Sequence, residues 1–122
     1  MKLEVGMYCY DKSNRKLGIG KIIEFRKNNN AVIEYKSGVV LISVGNIIAS
    51  HNLIDLIEVG DYVNGFKVLE IVKGFKVLVD KLELNTRDGN YYLKQFTNNE
   101  IKSVVTKEQF NSQKYVVGEI ND

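Results

Sequence analysis

Apolar and polar residues alternate along most of this chain, in short runs separated by turns rich in Gly and Asn. Alternation with a period of two is typical of half-buried β-strands. The first fifty residues contain five such runs, at residues 3–10, 17–26, 31–36, 39–43 and 47–49. In the second run the large apolar side chains on one predicted face are Leu17, Ile19, Ile23 and Phe25. The other face carries Gly18 and Gly20, which have no side chain, and glycines within a strand indicate a bend or a close approach of neighbouring backbone.

The rest of the chain shows the same pattern with longer runs. Predicted strands cover residues 59–63, 66–72, 75–84, 91–96, 101–105 and 115–117. Asn64-Gly65 is a strong signal for a two-residue hairpin turn. Thr106 with Gln109 three residues later fits a capping box, which predicts one helical turn. A single helical turn near residue 106 is therefore expected between the last strands.

The strand predicted at 66–72 is apolar on both sides. Alternation places Phe66, Val68 and Val72 on one face and Leu69 and Ile71 on the other. A strand with two apolar faces needs a cover on each. We expect that cover to come from the first half of the chain or from a second copy.

A short motif occurs twice in the same order. Glu58-Val59-Gly60-Asp61-Tyr62 matches Glu4-Val5-Gly6-Met7-Tyr8 at four of five positions. A second echo follows each copy, as Lys21-Ile22-Ile23-Glu24-Phe25 and as Lys67-Val68-Leu69-Glu70-Ile71. Two matching motifs in matching order predict that the chain consists of two related halves.

The composition favours strands over helices. Ala occurs only twice, while Val and Ile together supply 27 residues, and Pro is absent. Five short strands with tight turns in fifty residues is the strand count of an SH3-like barrel. We predict an all-β fold of two tandem SH3-like small barrels packed together: residues 1–50 form the first unit, 51–57 a linker and 58–122 the second unit. One continuous β domain is the alternative.

Charge and cysteine content limit the function classes only weakly. The net charge is +2, and residues 1–50 carry eight Lys and Arg against four acids. That excess is smaller than expected for a dedicated nucleic-acid binder. The single Cys9 excludes an intramolecular disulfide and fits a reducing cytoplasm. No signal-peptide pattern and no apolar run of membrane-spanning length is present, so we expect a cytoplasmic protein.

The usual constellations of enzyme chemistry are missing from the sequence. Cys9 and His51 are the only candidates for a Cys–His pair, and alternation places Cys9 in the core and His51 in a polar linker. The sequence lacks clustered zinc ligands, a phosphate-binding loop and a dinucleotide fingerprint. We therefore predict no enzymatic activity, no cofactor and no metal site.

One candidate surface is basic and aromatic and belongs to the first unit. Small barrels bind nucleic acid by pairing a basic groove with stacking aromatic rings. The residues that would form such a groove are Tyr8, Tyr10, Lys12, Arg15, Lys16, Arg26, Lys27 and Lys36. Scattered lysines on polar loops are also what an ordinary protein surface shows, so both interpretations stay open.

A second candidate surface lies in the second unit, next to the Asn- and Gly-containing loop at 85–90. Its residues are Asp88, Tyr91, Tyr92 and Phe96. Tyr supplies large contact area at low entropic cost, so a Tyr pair beside such a loop is typical of a protein-binding surface. The alternative is that one Tyr is buried and the other exposed, as in any strand.

Two stretches resemble small uncharacterised proteins of phages and prophages in low-GC Gram-positive bacteria. They are residues 59–65 (Val-Gly-Asp-Tyr-Val-Asn-Gly) and 101–110 (Ile-Lys-Ser-Val-Val-Thr-Lys-Glu-Gln-Phe). The resemblance is best over residues 53–117 and includes no motif of known chemistry, so it transfers no functional residue. It implies a phage accessory protein that works in the bacterial host cytoplasm by binding a host factor, with defence systems such as CRISPR effectors among the targets.

The leading hypothesis is thus a non-enzymatic phage protein, monomeric or homodimeric, that binds a host protein and inhibits an anti-phage defence system such as CRISPR-Cas. A nucleic-acid-binding module is the first alternative. A sponge for nucleotide signals is the second, and it would need a pocket at an oligomer interface.

Overall fold

Two antiparallel β-sheets of five strands each, with one short helix, make up the computed structural model, which describes residues 2–112. The strands are β1 (Tyr8–Asp11), β2 (Gly20–Arg26), β3 (Asn30–Tyr35), β4 (Gly38–Ser43), β5 (Ile47–Ser50), β6 (Tyr62–Val63), β7 (Phe66–Val72), β8 (Lys76–Leu84), β9 (Tyr91–Thr97) and β10 (Val104–Val105). Helix α1 covers residues 107–112. The strand predicted at 115–117 lies outside the described residues.

The two sheets have the same strand order. The first runs β4-β3-β2-β1-β5, and the second, read in the same direction, runs β9-β8-β7-β6-β10. In each sheet a 3₁₀ turn joins the fourth strand to the fifth, at Val44–Asn46 and at Asn98–Glu100. The all-β prediction is therefore confirmed. The prediction of closed barrels is wrong, because β4 and β5, and likewise β9 and β10, are edges that do not pair with each other.

The duplicated motif forms the same hydrogen bonds in both units. The Gly6 and Gly60 N–H groups donate to the carbonyls of Ile22 (2.8 Å) and Val68 (2.9 Å). In return, the Ile22 N–H donates to the Met7 carbonyl (3.0 Å) and the Val68 N–H to that of Asp61 (2.7 Å). The repeat in the sequence is thus a repeat in backbone geometry.

The motif itself is a turn rather than the start of a strand. Gly6 and Gly60 have φ values of 95° and 98°, a left-handed conformation that glycine adopts without steric cost. The predicted first strand at 3–10 was therefore too long, and β1 begins at Tyr8. The same turn delays β6 until Tyr62.

A β-bulge occurs at the same place in both units and changes which side chains face the core. The register shifts between Ile22 and Glu24 in β2 and between Val68 and Glu70 in β7. Ile22 is fully buried, whereas Ile23 is 41% exposed, so the predicted face with Leu17, Ile19, Ile23 and Phe25 is not one continuous face of the strand. A bulge adds one residue to one strand and so resets the alternation.

The same reset occurs in β7. Val68 and Ile71 both pack on the second core, although alternation placed them on opposite faces. Leu69 and Val72 point outward and are 41% and 37% exposed. The strand therefore has one core face and a partly apolar outer face.

Each sheet covers its own hydrophobic core. The first core contains Met7, Cys9, Ile22, Ala31, Ile33, Tyr35, Ile42, Ile47 and Ala49, and the second contains Ile54, Ile57, Val63, Val68, Val77, Val79, Phe96 and Ile101. Gly20 permits close approach in the first core, since a Cβ there would lie 2.7 Å from the Glu34 carbonyl oxygen. Residues 51–57 are more than a spacer, because Ile54 and Ile57 are part of the second core.

Candidate functional site

The outer half of the β8–β9 hairpin forms an arm, defined here as residues 80–92. Every residue of this arm is exposed. The register between β8 and β9 shifts between Leu78 and Leu82, which separates the arm from the part of the hairpin that covers the second core. A ribbon of two strands with no buried residue contributes no core of its own.

One face of the arm is apolar. Directly opposite residues of an antiparallel pair share a face, and the pairs are Leu82 with Leu93 and Leu84 with Tyr91. Leu82, Leu84 and Tyr91 are 62%, 52% and 64% exposed. Three large apolar side chains therefore lie side by side on the surface.

The other face of the arm is polar around one aromatic ring. Glu83 lies opposite Tyr92, and the Lys94 ammonium is 3.0 Å from the Glu83 carboxylate. The Tyr92 hydroxyl donates to Asp88 Oδ2 over 2.6 Å, although its ring is 49% exposed. Tyr91 and Tyr92 are thus both exposed, on opposite faces of the arm.

The loop at the tip of the arm is ordered by its own hydrogen bonds. The Arg87 N–H donates to Asn85 Oδ1 (2.8 Å), and the Asn90 N–H donates to Asp88 Oδ1 (2.9 Å). The Gly89 N–H donates to the Asn85 carbonyl at a φ of 75°. The Tyr92 hydroxyl, followed by the Asn90 N–H, lowers the pKa of Asp88 below its ordinary value, because both donate to the ionised carboxylate.

Of the four residues predicted for protein binding, the arm brings together Asp88, Tyr91 and Tyr92. Phe96 lies elsewhere: it is 8% exposed and belongs to the second core, where its ring stacks on Phe66 at 6.5 Å. Leu82 and Leu84 are additional surface residues that the sequence reasoning missed. Their signal was present, because Leu82 and Leu84 alternate with the charged Lys81 and Glu83 beyond the buried part of β8.

The basic residues of the first unit do not form one groove. Lys12 and Lys16 lie in the β1–β2 connection, whereas Arg26 ends β2 and Lys27 lies in the turn that follows it. A seven-residue strand separates the two groups by roughly 20 Å at ~3.3 Å per residue. Arg26 also forms an exposed ion pair with Glu24 at 2.8 Å.

The two aromatic rings predicted for base stacking are half-buried and lie on one face of β1. The Lys21 ammonium lies 5.0 Å from the Tyr8 ring centroid, and the Arg15 guanidinium carbon lies 4.6 Å from that of Tyr10. Each ring therefore has one face occupied by a cation of this chain.

Arg15 lies at the contact between the two units rather than on an open surface. It is 8% exposed, and its guanidinium donates to both carboxylate oxygens of Asp61, at 3.1 and 3.0 Å. It also donates to the Leu56 carbonyl and to Glu108, each at 2.9 Å. The Thr106 hydroxyl donates to the Arg15 carbonyl at 2.8 Å. We name this set of contacts the junction.

Asp61 is fully buried and is the most connected acceptor in the junction. Besides Arg15, it accepts the backbone N–H groups of Glu58 (2.8 Å) and Lys107 (2.9 Å). Burial alone would lower the pKa of Arg15, but the hydrogen bonds and charge of Asp61 outweigh it and raise the pKa above its ordinary value. The guanidinium therefore stays charged, and removing Asp61 would leave part of its buried charge uncompensated.

The remaining chemistry-bearing residues are isolated from one another. Cys9 is buried as predicted, and burial raises the pKa of its thiol to about 12. His51 is exposed, with Nε2 at 3.0 Å from Glu4 Oε1. Among residues 2–112, no group of three His, Cys, Asp or Glu side chains is placed to hold a metal ion.

A cleft of about 630 Å³ separates parts of the two units. It is lined by Leu17, Ile19, Lys36 and Ser37 of the first unit and by Lys102, Ser103, Val104, Val105 and Gln109 of the second. Lys36 and Lys102 are both exposed, and no carboxylate of residues 2–112 lines the cleft.

Comparison with known protein families, curated proteins and solved structures finds no significant match to this chain. Within the described part of the chain, no helix is long and apolar enough to cross a membrane.

Proposed function

We propose that this chain is a non-enzymatic binding protein that docks onto a partner protein through the apolar face of the arm. The observation that carries the proposal is the exposure of Leu82, Leu84 and Tyr91 side by side. Among residues 2–112, other side chains form the second core, and these three are not part of it. Contiguous apolar residues on a surface are a mark of protein interaction sites.

The order of the arm adds to its suitability for binding. Hydrogen bonds within the tip loop and from Tyr92 to Asp88 hold the hairpin in one shape. Holding a binding element in one shape before it meets its partner reduces the entropy lost on association. Tyr91 supplies a large rigid ring of the kind that is enriched at the centre of interfaces.

The choice of partner class rests on the resemblance of residues 59–65 and 101–110 to phage and prophage proteins. We propose a bacterial host protein as the partner and a defence effector, such as a CRISPR-Cas component, as the specific target. The host cytoplasm is the compartment that this proposal implies.

We also propose that each unit is a distant SH3-like fold. Five strands in a common order, a tight fourth-to-fifth connection through a 3₁₀ turn and a hairpin-rich layout support this assignment. The SH3-like assignment adds no binding residue. In this fold the arm is an extension of the β8–β9 hairpin.

The test is affinity capture from a Gram-positive host lysate, followed by direct titration of the captured protein. Leu84→Lys and Tyr91→Lys put charges into the apolar face, and each should weaken binding about tenfold or more. The matched control is Leu69→Lys, an exposed apolar residue of the same unit that lies outside the arm. Equal loss of binding in the control, or full binding by both arm variants, would reject the arm as the docking surface.

A further inference from the structure

The strand β4 is an edge with none of the usual protection against pairing. Its sequence, Gly-Val-Val-Leu-Ile-Ser, contains no charged residue and no proline. It pairs with β3 over six consecutive residues without a register shift, from Asn30 with Ser43 to Tyr35 with Gly38. Natural edge strands are normally interrupted by charges, prolines or bulges, because an open ladder pairs with other chains.

The other three edges of the two sheets differ from β4. Strand β5 has four residues and β10 has two, so each offers only a short ladder. Strand β9 carries Lys94 and has a shifted register with β8. Among the four edge strands formed by residues 2–112, only β4 combines length, neutrality and regular geometry.

The phase of the β3–β4 ladder shows which backbone groups of β4 are open. The Val44 N–H donates to the Asn29 carbonyl, so residues 42, 40 and 38 also bond to β3. Residues 39, 41 and 43 consequently direct their N–H and C=O groups to the open side, where no strand of residues 2–112 pairs with β4. The side chains of Val39 and Leu41 are 62% and 57% exposed.

We propose that β4 pairs with β4 of a second copy of this chain, antiparallel and about a twofold axis at Leu41. In that register Leu41 lies opposite Leu41, and Val39 lies opposite Ser43. All three open residues of each strand then exchange hydrogen bonds, and the two five-stranded sheets become one sheet of ten strands. In a twofold interface the same strand of both copies must be complementary to itself. This register meets that condition, because the axis passes through Leu41 and each open residue lies opposite an open residue of the other copy.

No like-charge repulsion opposes a second copy as the occupant. The only charged residue from 36 to 46 is Lys36, and the register places it opposite Asn46 rather than opposite another lysine. The paired outer faces join Val32, Val39 and Leu41 of both copies into one apolar strip. A strand-to-strand contact of this size is a small interface, so we expect a dimer of micromolar stability.

The test is disulfide trapping with Leu41→Cys. Directly opposite, hydrogen-bonded residues have Cα atoms ~5.5 Å apart, which is within the range that a disulfide spans. Leu41→Cys should therefore form a covalent dimer rapidly under mild oxidation. Leu82→Cys, at a similarly exposed leucine on the arm, is the control and should cross-link only slowly. Buried Cys9 is present in both variants and does not distinguish them.

Sedimentation velocity supplies the second measurement. The unmodified chain should show a monomer–dimer equilibrium, and Leu41→Lys should weaken the dimer about tenfold or more while circular dichroism stays unchanged. The double variant Val39→Cys, Ser43→Cys should form two disulfides between the copies, because the register places each position 39 opposite position 43 of the other copy. A chain that is monomeric up to millimolar concentration, or trapping no faster than in the control, would overturn the proposal and leave β4 to a different protein.

Discussion

The two units share a backbone frame but use one equivalent position in opposite ways. Met7 in the first unit and Asp61 in the second follow the same turn and make the same backbone hydrogen bonds. Met7 packs within its own core, whereas Asp61 binds Arg15 of the other unit. A single change of residue type at a buried position thus turns a core contact into a contact between units.

The same frame also carries two different hairpins. In the first unit, β3 and β4 are joined by the two-residue turn Lys36-Ser37, and β4 is a neutral edge in regular register with β3. In the second unit, β8 and β9 extend past the core into the arm and close through the loop at 85–90. The two units thus keep the same inner backbone hydrogen bonds, while their hairpins and edge strands differ.

The largest effect is expected when Asp61 is given the residue of the first unit. Asp61→Met removes the one fully buried carboxylate that pairs with Arg15 and leaves the guanidinium with the partly exposed Glu108 and Glu58, so we expect a loss of about 3 kcal/mol of the free energy of unfolding. Urea denaturation measures this loss. A change within about 1 kcal/mol, the range typical of exposed ion pairs, would show that the junction does not hold the units together.

The control for this experiment removes both charges. Arg15→Met combined with Asp61→Met should recover part of the lost stability, because no unpaired charge remains buried. Recovery is incomplete, since the Glu58 and Lys107 N–H groups still lose their acceptor. Arg26→Met, which breaks an exposed ion pair, should change stability little.

Much of the fold could be predicted from short-range patterns in the sequence. The duplicated motif, the Asn64-Gly65 turn and the strand at Phe66–Val72 all follow from short-range signals, and the structure contains each of them. The capping box is present as well: the Thr106 N–H donates to Gln109 Oε1, and the Gln109 N–H donates to Thr106 Oγ1. Turns and caps depend on neighbouring residues, which the sequence displays directly.

The errors came from features set by distant residues. The bulges after Ile22 and Val68 depend on the partner strands, so alternation alone assigned the wrong faces. Arg15 sits in a polar stretch of sequence, and only the approach of Asp61 from 46 residues away explains its burial. On the arm, the sequence singled out Tyr91 and Tyr92 as a pair. The exposure of Leu82 and Leu84 follows from the extension of β8 beyond the second core, which depends on the tertiary structure.

The smallest effect concerns the order of the arm. Tyr92→Phe removes the hydroxyl that donates to Asp88, so the pKa of Asp88 should rise toward its ordinary value while the Asn90 N–H still holds it below. A carboxylate with a lowered pKa stabilises the folded arm above the ordinary aspartate pKa, and this is lost as the pH falls through the lowered pKa. Carbon-detected NMR titration of the Asp88 carboxyl measures the shift. Tyr91→Phe should leave the pKa unchanged, and an equal rise in both variants would contradict the assigned hydrogen bond.

The central claim is that the second unit's arm, and not the first unit's basic residues, meets the partner protein. Hydrogen–deuterium exchange of the chain, alone and saturated with the captured partner, tests this claim most directly. We expect slowed exchange at residues 80–92 and unchanged exchange at the β1–β2 connection and the β2–β3 turn. Protection confined to those two loops, with the arm exchanging as in the isolated chain, would contradict it.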